Sequence, residues 1–253
     1  GVLDFENESE DSRVTINDWV SDETEAKIKD LLPPNSITPV TELVLTNAIY
    51  FNAAWRHPFD EEFTHDGTFN LLDGDQVTVP MMELGAYVGY AEGEGYQAVE
   101  LPYDGQKLSM VILLPEAGRF GEFTSALDSE GMALILRHVS LQNVHLTMPR
   151  FTYESGFRLR ETLAAMGMPA GFARADFSGM DGTRILFIDD VFHKAFVAVD
   201  EAGTEAAAAT AVMMISGVHR PREVRVDRPF VFMIRDIDTE AILFLGHVVN
   251  PGG

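Results

Sequence analysis

A dense series of strand signals constrains the fold more than any other feature of this sequence. Within residues 65–115, short apolar runs alternate with Asp-Gly and Glu-Gly pairs, as in YVGYAEGEGYQAVELPYDGQKLSMVILLP. This alternation is typical of antiparallel hairpins. The run TELVLTNAIYF at 41–51 is too apolar to leave one face in water, so it predicts a central strand. The end of the chain, 224–251, predicts two apolar strands joined by a turn at 236–239.

Helical signals are fewer. Three apolar residues have helical spacing behind an acidic first turn in segment 9–34, which a Pro-Pro pair ends: Ile16, Trp19 and Val20. Segments 123–138 and 155–168 also have a helical period, while 143–153 between them predicts a strand. No repeat, linker or low-complexity tail separates a second domain, so we expect one domain over residues 1–253.

The net charge and the absence of cysteine exclude several classes of binding partner and of covalent chemistry. The chain has 253 residues, with 18 Lys and Arg against 40 Asp and Glu and a formal charge of −22. This charge argues against nucleic acid, against anionic membranes and against a heparin-type cofactor. The chain has no cysteine, so it has no disulfide and no thiolate nucleophile, and the redox compartment stays open. No apolar run reaches the roughly 20 residues that span a bilayer.

A search for catalytic motifs finds none. The sequence lacks a G-x-S-x-G elbow, an H-E-x-x-H pair, a phosphate loop and a calcium loop. The seven histidines are scattered, and no two have the spacing of a metal pair. Taken alone, His193 in VFHKAFVAV is explained as a hydrogen-bonded structural residue. The sequence therefore predicts neither an enzyme nor a metal site, and no cofactor.

Segment 199–223, VDEAGTEAAAATAVMMISGVHRPRE, has conflicting local preferences. Its alanines favour helix, yet the alternation of residues in 204–214 also fits a strand with one uncharged face. No proline interrupts 204–218, so every backbone N–H there can join a sheet. A segment that fits two states is what a conformational switch requires.

These segments together resemble the serpin family, in the family's own order along essentially the whole chain. The reactive-loop hinge of serpins is matched by EAGTEAAAAT at 201–210, and the C-terminal signature by VRVDRPFVFMI at 224–234 followed by ILFLGHVVNP. Further matches are INDWVSDETEAKIKDLLPP, LVLTNAIYFNAAW, LTMPRF, ADFSGM and HKAFVAVDEAGTEA.

The resemblance implies an α+β serpin fold, with mixed β-sheets A, B and C, surrounding helices and an exposed reactive loop at about 201–223. It also implies that roughly the N-terminal third of the family's domain precedes VLDF. We therefore expect a domain that is incomplete at its N-terminus, and a chain that does not inhibit alone. The missing strands would cost stability comparable with the roughly 5–15 kcal/mol of a whole domain.

For function, the resemblance implies a serine protease inhibitor that acts as a suicide substrate, not an enzyme. The protease cleaves the loop and forms an acyl-enzyme, and the loop then inserts into sheet A. Thirteen residues at about 3.3 Å each would carry the tethered protease about 40 Å. The hinge residues implied are Glu201, Gly203, Thr204, Glu205, Ala206, Ala207, Ala208, Ala209 and Thr210. Asn47 and His193 match the family's shutter and Trp55 matches the aromatic residue at the breach, although ordinary core packing explains Trp55 equally well.

The scissile bond follows from counting along the loop. Seventeen residues from Glu201 place it between Gly217 and Val218, whereas counting back from DRPF places it one residue later. Glycine offers a specificity pocket no side chain, so Met214, Ile215 and Ser216 are alternatives. No basic residue lies within 204–218, which argues against a trypsin-like target and favours elastase-like, chymotrypsin-like or subtilisin-like proteases.

Two other classes remain open from the sequence. A non-inhibitory serpin, acting as a carrier or chaperone, would share the fold, and a cross-class inhibitor would trap cysteine proteases. In each inhibitory case the expected partner is a protease held covalently by a monomer. We expect a secreted protein, extracellular or periplasmic, with the cytoplasm as the alternative.

Overall fold

Strands make up most of the regular structure in the computed structural model, which describes residues 2–204 and 220–252. The strands of these residues are β1 (Val44–Tyr50), β2 (Ala53–Ala54), β3 (His65–Asn70), β4 (Gln76–Gly93), β5 (Tyr96–Pro102), β6 (Leu108–Pro115), β7 (Ser140–Pro149), β8 (Phe151–Arg158), β9 (Asp190–Val199), β10 (Gly203–Thr204), β11 (Arg222–Arg225), β12 (Phe230–Asp236) and β13 (Ile242–Val248). The α-helices of the same residues are α1 (Ser9–Glu23), α2 (Phe120–Ala126), α3 (Ser129–His138), α4 (Arg160–Ala165) and α5 (Ser178–Asp181), with 3₁₀ turns at Glu61–Phe63 and Pro169–Phe172.

The described chain divides into two compact units. The smaller unit joins Gly1–Tyr50 with Glu154–Val197, and the larger joins Phe51–Tyr153 with Ala198–Gly253. In the smaller unit, a three-stranded sheet has the order β1-β9-β8. Strands β1 and β9 run parallel in continuous register from Val44 opposite Asp190 to Tyr50 opposite Phe196. Only the edge of β1 that faces β9 is therefore paired within the described residues.

Helix α1 packs on the smaller unit's core through its buried residue Val20. The segment that follows folds back on the helix, because the buried Asn17 side chain donates to the Leu32 carbonyl at 2.9 Å and accepts from the Leu32 amide at 2.8 Å. Leu32 is fully buried in the same core. One amide side chain thus fixes a loop that has no regular structure of its own.

The larger unit contains an eight-stranded sheet. Its strand order is β11-β7-β4-β5-β6-β12-β13, with β3 paired to β4. All but the first residue of β6 are buried, which indicates that both faces of the sheet are covered there. Helix α3 covers part of one face through Met132 and Ile135. A separate two-stranded sheet pairs β10 with β2.

The strand predictions for 65–115 and for the two C-terminal strands are confirmed. Two local predictions are wrong in detail. Helix α1 ends at Glu23, well before the Pro-Pro pair, because Glu25 and Ala26 adopt positive φ angles of 52° and 59°. The segment 155–168 is not helical throughout, since β8 continues to Arg158 and α4 begins only at Arg160.

Strand β1 is predicted to be a central strand. Among the described residues it pairs with β9 along one edge, and Leu45 is exposed. Apolar composition indicates that the faces of a strand are covered, but it does not determine whether both edges are paired, so the central position of β1 stays a prediction.

Candidate functional site

The hinge predicted from the sequence begins as a strand. Gly203 pairs with Ala54 and Thr204 pairs with Ala53, in antiparallel register. The backbones approach so closely that a Cβ atom added at Gly203 would lie 2.7 Å from the Ala54 Cα and 3.0 Å from the Trp55 nitrogen. Only glycine therefore fits at the first position of β10 without a backbone shift.

Thr204 is anchored by a buried hydroxyl pair. Its side chain is fully buried, and its Oγ1 lies 2.8 Å from the Oη of Tyr103, so the two hydroxyls share a hydrogen bond. Burial raises the pKa of Tyr103 well above its ordinary value, and the Thr204 hydrogen bond offsets this only in part. The phenol therefore stays protonated, and it satisfies a threonine hydroxyl that burial would otherwise leave without a partner.

Trp55 is the aromatic centre of this region. Its ring stacks on Tyr103 with a centroid distance of 4.5 Å and an interplanar angle of 11°, and Phe59 packs edge-on against it. Its Nε1 donates to the Asp200 carbonyl at 2.9 Å, and its backbone amide donates to the Ala202 carbonyl at 2.9 Å. Trp55 therefore binds the chain that leads into the loop through both its side chain and its backbone.

Glu201 is the buried charge beside this aromatic stack. The carboxylate is almost fully buried, and its Oε1 accepts from Arg150 Nε at 2.7 Å, from Arg150 Nη2 at 2.5 Å and from the Thr64 hydroxyl. Burial acts to raise the pKa of Glu201, but the hydrogen bonds from Arg150 and Thr64 outweigh it and hold the pKa below its ordinary value. The carboxylate is therefore ionised at neutral pH and accepts hydrogen bonds from both Arg150 and Thr64.

We call the five residues Trp55, Tyr103, Arg150, Glu201 and Thr204 the Trp55 cluster. Its members come from four separate parts of the larger unit. The cluster has no nucleophile with an adjacent base, and the described residues contain no group of three or more His, Asp or Glu side chains able to hold a metal ion. Its geometry suits the positioning of a backbone segment rather than a chemical reaction.

The second pair of predicted residues lies in the smaller unit. Asn47 on β1 is directly opposite His193 on β9, and His193 Nδ1 lies 3.2 Å from Asn47 Oδ1, where a protonated Nδ1 donates a hydrogen bond. The exposed ring of Phe157 stacks on the imidazole at 6.4 Å. Partial burial lowers the pKa of His193, so the imidazole is neutral at pH 7.

The structure thus gathers some of the predicted site residues and leaves others apart. Trp55, Glu201, Gly203 and Thr204 come together, and Asn47 pairs with His193 elsewhere. The other predicted hinge and reactive-bond residues lie outside the described residues: Glu205, Ala206, Ala207, Ala208, Ala209, Thr210, Met214, Ile215, Ser216, Gly217 and Val218. Their roles, and the domain bounds, stay predictions.

Sequence reasoning did not single out Tyr103, Arg150 or Thr64. Tyr103 follows strand β5 in LPYDG, and Arg150 lies in LTMPRF, which the family resemblance includes without assigning it a role. Their partners are far away in sequence, 101 residues from Tyr103 to Thr204 and 51 residues from Arg150 to Glu201. No local spacing rule connects such pairs. The one signal that could have led to Arg150 is that a buried glutamate carboxylate requires a cation as its partner.

The chain belongs to the serpin family, since the family model described as serine protease inhibitor matches residues 1–251. It is 39% identical over 253 residues to an uncharacterized serpin-like protein of Thermococcus kodakarensis, covering 98% of this chain and 59% of that protein. It is 40% identical over 269 residues to human leukocyte elastase inhibitor, covering 98% of this chain and 69% of that protein.

Solved structures agree with the fold. The chain is similar to a highly specific serpin of the insect Tenebrio molitor, with a TM-score of 0.86, 32% identity, and coverage of 98% of this chain and 66% of that chain. Uncleaved ovalbumin gives a TM-score of 0.86 at 29% identity, covering 98% of this chain and 65% of that chain. The predicted serpin fold, α+β with mixed sheets and surrounding helices, is confirmed. No helix among the described residues is long and apolar enough to cross a membrane.

Proposed function

We propose that this protein inhibits serine proteases as a suicide substrate, and that cleavage of the segment after Thr204 starts its insertion as a new strand. The observation that carries this proposal is the strand β10. Gly203 and Thr204 are already paired with β2, and Thr204 is already buried against Tyr103. The residues that lead into the loop are already held in an extended strand by this pairing. The residues after Thr204 can therefore add to the end of β10 without starting a separate strand.

The parallel pairing of β1 and β9 supplies a place for such a strand. One strand inserted between two parallel neighbours can run antiparallel to both, which is the more stable ladder per residue. Insertion must first break seven residue pairs of the β1–β9 register. Small side chains in the hinge keep the added cost of opening low, which favours insertion over hydrolysis of the acyl-enzyme.

The protease carries out the bond-forming and bond-breaking steps of the proposed reaction. Its serine oxygen attacks the scissile carbonyl, the tetrahedral intermediate collapses and the amine of the following residue departs with a proton. The remaining ester joins the protease serine to the inhibitor residue at the cleavage point, Gly217 in our first assignment. Strand insertion then moves this ester before water can hydrolyse it.

The target class follows from the loop. No Lys or Arg occurs in 204–218, so the specificity pocket of a trypsin-like protease finds no basic residue there. A relative named leukocyte elastase inhibitor is consistent with an elastase-like target. Chymotrypsin-like and subtilisin-like proteases also fit residues 213–218, and a secreted inhibitor, extracellular or periplasmic, would meet all three.

The test is a covalent-complex assay on the protein as its gene encodes it. It is mixed with elastase, chymotrypsin and subtilisin, and the products are analysed on denaturing gels and by mass spectrometry. We expect a denaturant-resistant complex, a released C-terminal peptide that begins within 214–219, and a higher thermal midpoint in the cleaved protein. Cleavage with neither a complex nor a gain in thermal stability would show that the loop is only a substrate. A carrier or chaperone role would then explain the fold better.

A further inference from the structure

Arginine is concentrated directly after the residues that we assign to the cleaved bond. Segment 220–228, RPREVRVDR, has four arginines against two acidic residues, which gives it a net charge of +2 in a chain with a formal charge of −22. Strand β11 lies inside this segment. We call its four arginines the basic strip: Arg220, Arg222, Arg225 and Arg228. The sign of the charge is therefore reversed immediately after the proposed cleavage site.

Strand β11 anchors the basic strip in the eight-stranded sheet. It pairs in parallel with β7 along its whole length. Val224 is buried, and the Val226 amide donates to the Thr147 carbonyl at 2.8 Å. The Arg222 guanidinium lies 5.8 Å from the centre of the Tyr90 ring, within the range of a cation–π contact. The arginines are thus carried by a strand whose backbone is held in place.

The nearest carboxylate does not compensate the charge of the strip. Asp227 Oδ2 lies 3.3 Å from Arg225 Nε, and Asp227 Oδ1 lies 3.2 Å from Arg228 Nη1. One negative charge is therefore shared by two guanidinium groups. This leaves one positive charge in excess at the end of the strip that is farther from the cleavage site.

The end of the strip nearer the cleavage site is also positively charged. The Glu223 carboxylate lies 2.9 Å from His145 Nδ1 on the neighbouring strand β7, so it faces the sheet partner rather than the arginines. The Arg220 side chain is exposed, and none of the ion pairs among residues 2–204 and 220–252 involves it. Together, the two ends give the strip an excess of positive charge that a partner can use.

The basic strip lies within reach of a protease that attacks the loop. Arg220 is three residues from Gly217, at most about 10 Å along an extended chain, and Arg225 is at most about 26 Å away. A standard protease–inhibitor interface covers roughly 800 Å² on each partner, an area about 30 Å across. Exposed charges separated by more than about 8 Å are largely screened at physiological ionic strength. The local positive charge therefore decides the electrostatics of this contact, rather than the acidic remainder of the chain.

We propose that the basic strip is a docking surface for an acidic surface of the target protease, on the side of its active site that binds the residues after the cleaved bond. The inference rests on the proposed function, because it states the charge of the partner that cleaves the same loop. Charges at the rim of an interface act mainly on the rate of association. The strip should therefore speed up the encounter with the protease and leave strand insertion unchanged.

The test compares two forms of one protease that differ only in charge. The protease is the one of elastase, chymotrypsin and subtilisin that cleaves the loop fastest, with two exposed residues beside its leaving-group subsites changed either to Glu or to Lys. Initial rates of loop cleavage are measured on the natural protein by mass spectrometry and divided by the rates on an uncharged peptide substrate. We expect the glutamate form to cleave the loop about tenfold faster than the lysine form at low salt. The two rates should converge at about 1 M NaCl.

Two variants localise the effect. Arg220→Gln/Arg225→Gln should bring the ratio of the two rates close to one, while Arg137→Gln, at an exposed arginine of α3, should keep the full ratio. Thermal unfolding establishes that each variant is folded. A ratio close to one for the natural protein, or a ratio that survives Arg220→Gln/Arg225→Gln, would overturn the proposal.

This experiment separates the docking proposal from the proposed function, because cleavage is measured whether or not a covalent complex forms. Cleavage with the expected ratio but without a complex would contradict only the inhibitory mechanism. A complex that forms equally fast with both protease forms would contradict only the docking surface. No cleavage by any of the three proteases would overturn both. Retention on immobilised heparin that Arg220→Gln/Arg225→Gln abolishes, with a ratio close to one, would assign the strip to a polyanion instead.

Discussion

The Trp55 cluster and the Asn47–His193 pair both join side chains that are far apart in the sequence, but they differ in burial and in the number of hydrogen-bond partners. In the cluster, Thr204, Tyr103 and Glu201 are buried, and each has a hydrogen-bond partner in the part of the chain that the structure describes. In the pair, one contact of 3.2 Å joins an exposed asparagine to a half-buried histidine. The cluster is suited to fix the entry of the loop, whereas the pair is suited to open.

This difference predicts unequal responses to mutation. Changes in the cluster should affect both stability and trapping, because they leave buried groups without partners. Changes in the pair should have small effects on stability and act mainly on its pH dependence. The following predictions run from the largest expected effect to the smallest.

Thr204→Arg should have the largest effect on trapping. The substitution introduces a charge where the native side chain is fully buried against Tyr103, which costs several kcal/mol if the strand is to remain in place. We expect the ratio of covalent complex to cleaved inhibitor to fall by about tenfold or more, measured on denaturing gels. Thr68→Arg, at an exposed threonine on β3, is the matched control and should trap as the unmodified protein does. Normal trapping by Thr204→Arg would refute the role of this position.

Trp55→Ala should have the largest effect on stability. It removes a buried ring stacked on Tyr103 together with the hydrogen bond to the Asp200 carbonyl, and such truncations cost about 3–5 kcal/mol. The other tryptophan, Trp19, is 58% exposed, and Trp19→Ala should change stability by less than about 0.5 kcal/mol. Urea unfolding of both variants measures the difference. Similar costs would mean that the cluster is not a distinct stabilising unit.

Arg150→Met should cost about 1–3 kcal/mol at pH 7, because it removes the charged donor of the buried Glu201 carboxylate. The pKa of Glu201 is lowered in the folded protein. The ionised carboxylate therefore contributes its full stabilisation of the folded state at pH values above the ordinary pKa of 4.5, and this stabilisation is lost as the pH falls through the folded-state pKa. The cost of Arg150→Met should therefore shrink between pH 7 and pH 3 in urea titrations.

Arg184→Met is the control for that experiment, since the Arg184 side chain is 80% exposed and paired with Asp176. It should change stability little at either pH. A cost of Arg150→Met that stayed constant between pH 7 and pH 3 would show that the ionised Glu201 is not the group stabilised.

His193→Gln should have the smallest effect, below about 1 kcal/mol at pH 7. Burial lowers the pKa of His193, so the unfolded chain takes up a proton first and the folded state loses stability as the pH falls below about 6.5 toward the folded-state pKa. The variant should lose this part of the pH dependence in thermal unfolding. His138→Gln, at the exposed end of α3, should retain it. Identical pH profiles for the two variants would show that His193 does not cause this part of the pH dependence of stability.

The sequence predicts the framework of this fold better than its site. The hairpins of 65–115 and the strands of 224–251 follow from local alternation and turn residues, because antiparallel neighbours are also neighbours in sequence. Trp55, Glu201, Gly203 and Thr204 were found through family motifs. Tyr103 and Arg150 were missed because each acts through a partner far away in the chain.

The most direct test of the central claim is to lock β1 to β9 with a disulfide. The chain has no cysteine, and Ile49 and Ala195 are register partners, so an Ile49→Cys/Ala195→Cys variant can form one engineered bridge across the pair. Neighbouring strands lie about 4.8 Å apart, within the Cα separation that disulfides accept. If the cleaved loop inserts between these strands, the oxidised variant should be cleaved by its target protease without forming a covalent complex, and reduction should restore the complex. Equal trapping by the oxidised and reduced forms would contradict insertion at this position.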